Sequence, residues 1–175
     1  MASRPRDTDY AAFFAAYVNL VPESDVLSAL KAQVVQLSDL AATVPANREG
    51  YRYAAEKWSV REVFGHLIDA ERVFGYRAFC ISRGERASLP GFEENEYVAA
   101  SRYDGRALAD LVAEFALVRK ANLTCLEHLT GGDWERRGTA NDNPVTVLAL
   151  AFIMAGHVRH HMNILRTKYG APPAV

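Results

Sequence analysis

Apolar residues recur at a helical period along most of this chain. They return every three or four positions over four long stretches, approximately residues 23–43, 60–83, 105–129 and 144–169. A shorter apolar stretch, residues 10–20, predicts an extra short helix near the N-terminus. No alternation of apolar and polar residues is long enough to predict a strand. The pattern therefore indicates an all-α protein.

Four helices that each carry one apolar stripe predict a four-helix bundle. The connections, residues 44–58, 84–103 and 130–143, exceed the few residues that a helical hairpin needs, so we expect a long crossover connection. The chain has 175 residues and shows no repeat, linker or low-complexity tract. We therefore expect a single domain over residues 1–175.

Several residues carry helix-start signals. Ser59 and Glu62 form a capping-box pattern before the second stretch. Asp104 is expected to cap the third helix. Asn143 is expected to cap the fourth, with Pro144 at its first helical position.

Two histidines four residues apart lie on the expected apolar stripe of the fourth helix. His157 and His161 continue the steps set by Leu150 and Met154, so both imidazoles replace core apolar residues. A third histidine, His66, borders an apolar face of the second helix. Three inward histidines from two helices suit one divalent metal ion with open coordination positions, as in a reactive site.

The alternative is that these are core histidines whose nitrogens bond to carboxylates and carbonyl groups.

Spacing excludes two other classes of metal site. A di-iron bundle needs Glu-x-x-His pairs, but Val63 and Met154 lie three residues before His66 and His157. The zinc-protease pattern His-Glu-x-x-His is absent, because Val158 occupies the glutamate position.

Two carboxylates flank His66 on the same helix, Asp69 three residues after it and Glu62 four residues before it. Either could orient a ligand or act as a base. Glu62 already has a capping role, and Asp69 could instead pair with Arg72 on the surface. Asp69 is the candidate catalytic residue.

The remaining histidines and the cysteines have plainer interpretations. His160 lies about 100° around the helix from His161 and is expected to reach a neighbouring carboxylate. His128 is expected to interact with the C-terminal dipole of its helix. Cys80 and Cys125 are far apart, which fits neither a disulfide framework nor a CxxC motif, and are expected to be small core residues.

Charge and hydropathy exclude several classes of partner. The formal net charge is −1 and the chain has no basic stripe, so we expect no nucleic acid and no anionic membrane as partners. No apolar run reaches the roughly 18 residues of a membrane span, and residues 1–9 lack the apolar segment of a secretory signal. We expect a cytoplasmic protein that acts on a small-molecule substrate.

Four segments of the chain together carry a resemblance to a known family: residues 50–72, Leu89-Pro-Gly-Phe92, Arg137-Gly-Thr-Ala-Asn141 and Gly156-His-Val-Arg-His-His161. They resemble motifs of the DinB-like superfamily of damage-inducible metalloproteins, and residues 50–72 resemble its signature region. The resemblance covers approximately residues 17–169. It implies a four-helix bundle with a long crossover, often a homodimer, and a divalent metal on His66, His157 and His161. Characterised members include thiol transferases that use low-molecular-weight thiols such as bacillithiol or mycothiol, and a maleylpyruvate isomerase.

Three functional hypotheses follow from the residues and the resemblance. The first is a metal-dependent enzyme such as a low-molecular-weight thiol S-transferase, with the thiol as cosubstrate. The second is a metal-dependent hydrolase, with Asp69 or Glu62 as base, and the third is a non-catalytic metal-binding bundle. Zinc and nickel are the expected metals, because both suit imidazole ligands.

Overall fold

The computed structural model describes residues 4–170 and confirms the predicted bundle. The elements follow in chain order as α1 (Ala15–Val18), α2 (Val26–Ala42), α3 (Val60–Ser82), α4 (Glu94–Ala100), α5 (Leu108–Leu126), α6 (Gly131–Glu135), β1 (Arg137–Ala140), β2 (Asn143–Thr146) and α7 (Val147–Lys168). The long helices α2, α3, α5 and α7 correspond to the four predicted stretches. The predicted N-terminal helix is the short α1, preceded by single 3₁₀ turns.

The four long helices do not pack in chain order. Helix α3 packs against both α5 and α7, and α2 also packs against both α5 and α7. Helices α2 and α3 therefore stand on one diagonal of the bundle, and α5 and α7 stand on the other. The connections from α2 to α3 and from α5 to α7 cross the bundle, which explains why both are long. The connection from α3 to α5 joins neighbours and contains α4.

Helix α3 begins as the sequence predicts, whereas α5 begins later. The Ser59 side chain accepts a hydrogen bond from the Glu62 amide, and the Glu62 carboxylate accepts one from the Ser59 amide. Helix α5 begins at Leu108 rather than near residue 105, and Asp104 does not cap it. The Asp104 carboxylate instead accepts hydrogen bonds from the Ser59 hydroxyl and from Arg52, so it ties the start of α3 to the α4–α5 connection.

The prediction that Asn143 and Pro144 begin the fourth helix was wrong. Asn143 pairs with Ala140 and Pro144 pairs with Thr139 in the β1–β2 hairpin, and α7 begins at Val147 with the Thr146 side chain as cap. The two hairpin turn residues, 141 and 142, both have positive φ, as tight hairpin turns require. Strands of four residues are too short to give an alternating pattern that sequence alone can detect.

A buried polar network joins all four long helices. The Arg119 guanidinium forms a bidentate ion pair with the Glu71 carboxylate, with N···O distances of 2.7 and 2.8 Å. It also donates a hydrogen bond to the Gln33 side chain. The Gln33 amide donates to the Ala155 carbonyl in α7 at 2.7 Å. Arg119 and Glu71 are 0% and 2% exposed. An apolar pattern does not predict that a charged residue is buried, but the structure buries Arg119 because Glu71 neutralises it.

The described helices include none that is long and apolar enough to cross a membrane. Helix α7 is nevertheless buried on every side from residue 147 to residue 158, because it is enclosed by α1, α2, α3 and the hairpin. Cys80 and Cys125 form no disulfide and are half-buried rather than fully buried.

Candidate metal centre

The structure brings together the three histidines that the sequence singles out. His66 comes from α3, and His157 and His161 lie one turn apart on α7, the helix that packs against α3. One ligand atom from each imidazole lies within 4.8 Å of those of the other two. The Nε2 atoms of His66 and His157 are 2.9 Å apart. All three residues are buried.

Burial keeps these imidazoles neutral. It lowers the pKa of His66 to about 4, and it holds the pKa of His157 and His161 well below the ordinary value. Mutual repulsion between the histidines lowers the pKa of His157 and His161 further. Neutral imidazole is the form that binds metal ions, so protons do not compete for the site at neutral pH.

The donor set fits a divalent metal ion. Among residues 4–170 only one hydrogen bond, between the Nε2 atoms of His66 and His157, joins the three imidazoles, and at least one of these two nitrogens carries a lone pair. Within that part of the chain no carboxylate joins the group. Buried lone pairs without donors are costly, and a cation supplies the partner that they lack. Three protein ligands also leave coordination positions for water or substrate.

Aromatic rings surround the imidazoles. The Trp58 ring centroid lies 4.6 Å from that of His66, and the Phe74 centroid lies 5.7 Å from that of His157. Tyr17, on α1, contacts the edges of both His157 and His160 at 5.4 and 5.3 Å. These rings pack against the histidines and contribute to their burial.

A cavity of about 380 Å³ opens beside the three histidines. Aromatic side chains form much of its wall, and polar side chains from α3, α4, α7 and the hairpin form the rest. Its lining includes Phe13, Phe14, Tyr17, Trp58, His66, Phe74, Arg77, Phe92, Glu94, Asn141, Asn143, His157, His160 and His161. Pockets of this size and character bind small molecules.

A larger cavity of about 640 Å³ lies elsewhere, between the N-terminal segment and the hairpin. No histidine lines it, and its charged groups largely neutralise one another. Arg6 and Arg137 both bond to Asp9, and Arg4 donates to backbone carbonyls. It lacks the chemistry of a metal centre.

Comparisons with known proteins show the family and agree with the fold. The sequence model of the DinB superfamily matches residues 29–165. The chain belongs to the DinB superfamily. Its fold is also similar to that of YfiT from Bacillus subtilis, described as "a probable metal-dependent hydrolase with an unusual four-helix bundle topology". The TM-score is 0.70 at 17% identity, over 93% of this chain and 91% of YfiT. No curated protein matches this chain in sequence.

Two of the motifs that resemble the DinB superfamily, residues 89–92 and 137–141, meet at the cavity. The Leu89 amide donates to the Thr139 carbonyl, and the Asn141 amide donates to the Leu89 carbonyl, so residues 89–92 are fixed to the hairpin. Gly91 leaves the space that the Asn141 side chain occupies, because a Cβ atom there would overlap it. Phe92, Ala140 and Asn141 from these two segments line the cavity together with the histidines.

Asp69 and Glu62 lie outside the histidine group and outside the cavity lining. The half-buried Asp69 carboxylate accepts a hydrogen bond from the Tyr103 hydroxyl at 2.6 Å, and burial raises the pKa of Asp69. The Tyr103 ring occupies the space beside Gly65, next to His66 in sequence. Glu62 is engaged by its capping box and by Arg52.

The remaining histidines differ in their surroundings. His160 is half-buried and lines the cavity, but it bonds to no carboxylate among the described residues; it packs against Tyr17 instead. Burial lowers the pKa of His160. His128 lies just beyond the end of α5, where its Nδ1 is 2.7 Å from the Thr124 carbonyl oxygen.

Three polar cavity residues escaped the sequence analysis: Tyr17, Arg77 and Glu94. Tyr17 and Glu94 come from short helices whose partners are distant in sequence. The spacing of Arg77 could have identified it. Arg77 lies on α3 eleven residues, or about three turns, after His66, so both side chains lie on the same face of the helix. An arginine beside an apolar stripe is usually a surface residue, so the tertiary structure was needed to place it in the cavity.

Proposed function

We propose that this DinB-superfamily protein is a divalent-metal-dependent enzyme whose small-molecule substrate binds in the cavity beside His66, His157 and His161. The observation that carries the proposal is the group of three buried, neutral imidazoles in the wall of a cavity of about 380 Å³. Zinc or nickel is the proposed metal. Held there, the metal would act as a Lewis acid and favour deprotonation of a thiol or water molecule.

The residues of the chain have separate roles in this proposal. The three histidines hold the metal, and Trp58 and Phe74 keep bulk water from their rings. His160 lines the cavity in its neutral form and is the group proposed to accept a proton. The catalytic role predicted for Asp69 becomes a positioning role, in which Asp69 holds Tyr103 against the helix that carries His66.

The reaction we favour is transfer of a low-molecular-weight thiol to an electrophile. The thiol sulfur forms a bond to an electrophilic carbon, the leaving group departs with its bonding electrons, and the thiol proton passes to His160 or to solvent. The aromatic wall suits an apolar electrophile, and the polar hairpin side of the cavity suits a hydrophilic thiol.

The second candidate reaction is hydrolysis, which the description of YfiT favours. It uses the same residues with water in place of the thiol, and the metal centre serves both reactions. A non-catalytic metal-binding role is the third candidate.

Metal content and turnover measured on one preparation distinguish these candidates. The protein is purified without an affinity tag, its metal is quantified by elemental analysis, and the loaded protein is assayed with monochlorobimane and a series of thiols, and separately with esters and amides. Thiol-dependent turnover supports S-transfer, turnover without thiol supports hydrolysis, and bound metal without turnover supports the non-catalytic role. His157→Ala should remove metal and activity, whereas the matched variant of an exposed histidine, His128→Ala, should keep both.

The homodimer implied by the resemblance is part of the proposal. Light scattering coupled to gel filtration should give twice the chain mass of 19.4 kDa. A particle with the mass of one chain would contradict it.

A further inference from the structure

Arg77 is a buried cation in the wall of the cavity. Its side chain comes from α3, lines the same cavity as the three histidines, and is 5% exposed. A charge removed from water is unfavourable unless an opposite charge or a full set of hydrogen bonds compensates it.

The protein compensates Arg77 only in part. One guanidinium nitrogen, Nη2, donates to the Pro90 carbonyl at 2.6 Å, and Nε is buried without a partner among residues 4–170. The rings of Phe74 and Phe92 lie 5.9 and 6.0 Å from Cζ. Aromatic faces stabilise a guanidinium, but they supply no negative charge.

No carboxylate of the described chain forms an ion pair with Arg77. The other deeply buried arginine, Arg119, forms a bidentate ion pair with Glu71. Elsewhere in this protein, therefore, a carboxylate neutralises a buried guanidinium. Glu94 also lines the cavity, but it is exposed and makes no ion pair with Arg77. The cavity therefore contains a fixed positive charge without its counterpart.

Arg77 is held in place rather than free to move to solvent. The Pro90 carbonyl that anchors it belongs to the segment fixed to the hairpin through Leu89 and Asn141. Phe74 is a neighbour of both groups, with its ring 5.7 Å from that of His157 and 5.9 Å from Cζ of Arg77. The cation and the histidine group thus occupy separate positions in one cavity.

From this arrangement we infer that Arg77 binds an anionic group, a carboxylate or phosphate, of the substrate or thiol cosubstrate. The planar guanidinium matches either anion through paired hydrogen bonds. A ligand held there by its anionic group has its other end in the part of the cavity lined by His66, His157 and His161. That orientation rests on the proposed function, whereas anion binding by Arg77 does not.

Calorimetry with matched aromatic probes tests the inference. Phenylacetate and phenyl phosphate carry the two anions, and phenylacetamide is the neutral analogue that fits the same aromatic wall. Each is titrated into the protein as purified and after removal of metal by a chelator. The metal-free protein should bind at least one anion about tenfold or more tightly than the amide, as expected for charge-assisted hydrogen bonds. The preferred anion identifies the ligand class.

Variants assign the preference to Arg77. Arg77→Gln should abolish it, and Arg77→Lys, which keeps the charge but loses the planar fork, should retain only part of it. Arg83→Gln is the matched control, because it removes the same charge from the end of α3 outside the cavity lining. Circular dichroism verifies that each variant is folded.

Two results would overturn the inference: no preference for either anion in the metal-free wild type, or a preference that survives in folded Arg77→Gln. The first result is measured on the wild-type protein, so the inference can be refuted even if Arg77→Gln does not fold. Metal content and turnover are measured on the same samples. If the protein prefers the anionic probes but shows neither bound metal nor turnover, only the proposed function is refuted. If it shows bound metal and turnover but no preference for the anionic probes, only the anion site is refuted.

Discussion

At the scale of single residues, His160 and His161 are sequence neighbours with different surroundings. The His161 imidazole belongs to the group that can hold a metal, whereas His160 packs on Tyr17 at the cavity wall. Loss of a residue that only orients a ligand costs roughly 10- to 100-fold in metal affinity. His157→Ala or His161→Ala should therefore lower zinc affinity by more than about 100-fold, and His160→Ala should have a smaller effect. Competition with a chromophoric chelator measures this, and equal losses in all three variants would refute the assignment.

His66 is the ligand supplied by the other helix. His66→Ala should weaken metal binding and remove activity while the bundle stays folded, because a neutral imidazole leaves no unpaired charge behind. Circular dichroism and metal content measured on the same sample decide the outcome. A variant that keeps its helicity and its full metal complement would exclude His66 from the site.

At the scale of elements, Gly156 sets how closely α1 approaches α7. A Cβ atom at residue 156 would overlap the backbone carbonyl of Tyr17, which cannot move without moving α1. Gly156→Ala should destabilise the fold by about 1–3 kcal/mol through overpacking, despite the better helix propensity of alanine. Urea denaturation measures the change. Gly131→Ala, at a position where a Cβ meets nothing within 4 Å, should change stability by less than about 0.5 kcal/mol.

The close approach of α1 also matters to the cavity, since Tyr17 contacts His157 and His160. Displacement of α1 in Gly156→Ala should open this side of the cavity, and quenching of tyrosine fluorescence by acrylamide should increase. A variant that is as stable as the wild type and equally protected would show that the two helices adjust without cost.

At the scale of the whole molecule, the pair of Arg119 and Glu71 joins the neighbouring helices α5 and α3 and belongs to the polar network that reaches all four long helices. Arg119→Met leaves the Glu71 carboxylate buried and unpaired, which should cost about 3–5 kcal/mol. The double variant Arg119→Met with Glu71→Leu should recover much of that loss, because no buried charge remains. Urea denaturation compares the variants.

The matched control for this pair is the exposed contact of Arg72 with Glu114. Arg72→Met should cost no more than about 1 kcal/mol, as is usual for ion pairs in water. A double variant no more stable than Arg119→Met would indicate that the hydrogen bonds to Gln33 and Asn122, rather than charge pairing, dominate the network.

The apolar pattern of the sequence predicted the structure well for the apolar helix residues and less well for the buried arginine and the hairpin. Helix α3 was predicted almost to its ends, because its capping box is local and its apolar residues Phe64, Leu67 and Phe74 are all buried. In α5 the pattern missed Arg119, whose burial depends on a carboxylate 48 positions away. In the hairpin, the sequence analysis interpreted Asn143 and Pro144 as a helix start, since strands of four residues are too short to show an alternating pattern.

The sequence by itself determined the four helices and the pair of His157 and His161, because helical periodicity and i,i+4 spacing are local properties of the chain, and its motifs carried the resemblance to the family. Only the tertiary structure decided that α2 and α3 stand on a diagonal, that His66 meets His157, and that Arg77 lines their cavity without a counter-charge. Each of these depends on which surfaces far apart in sequence come together. The partners of a side chain, and how far it is removed from water, depend on these contacts between distant segments. The order of residues along one helix does not specify them.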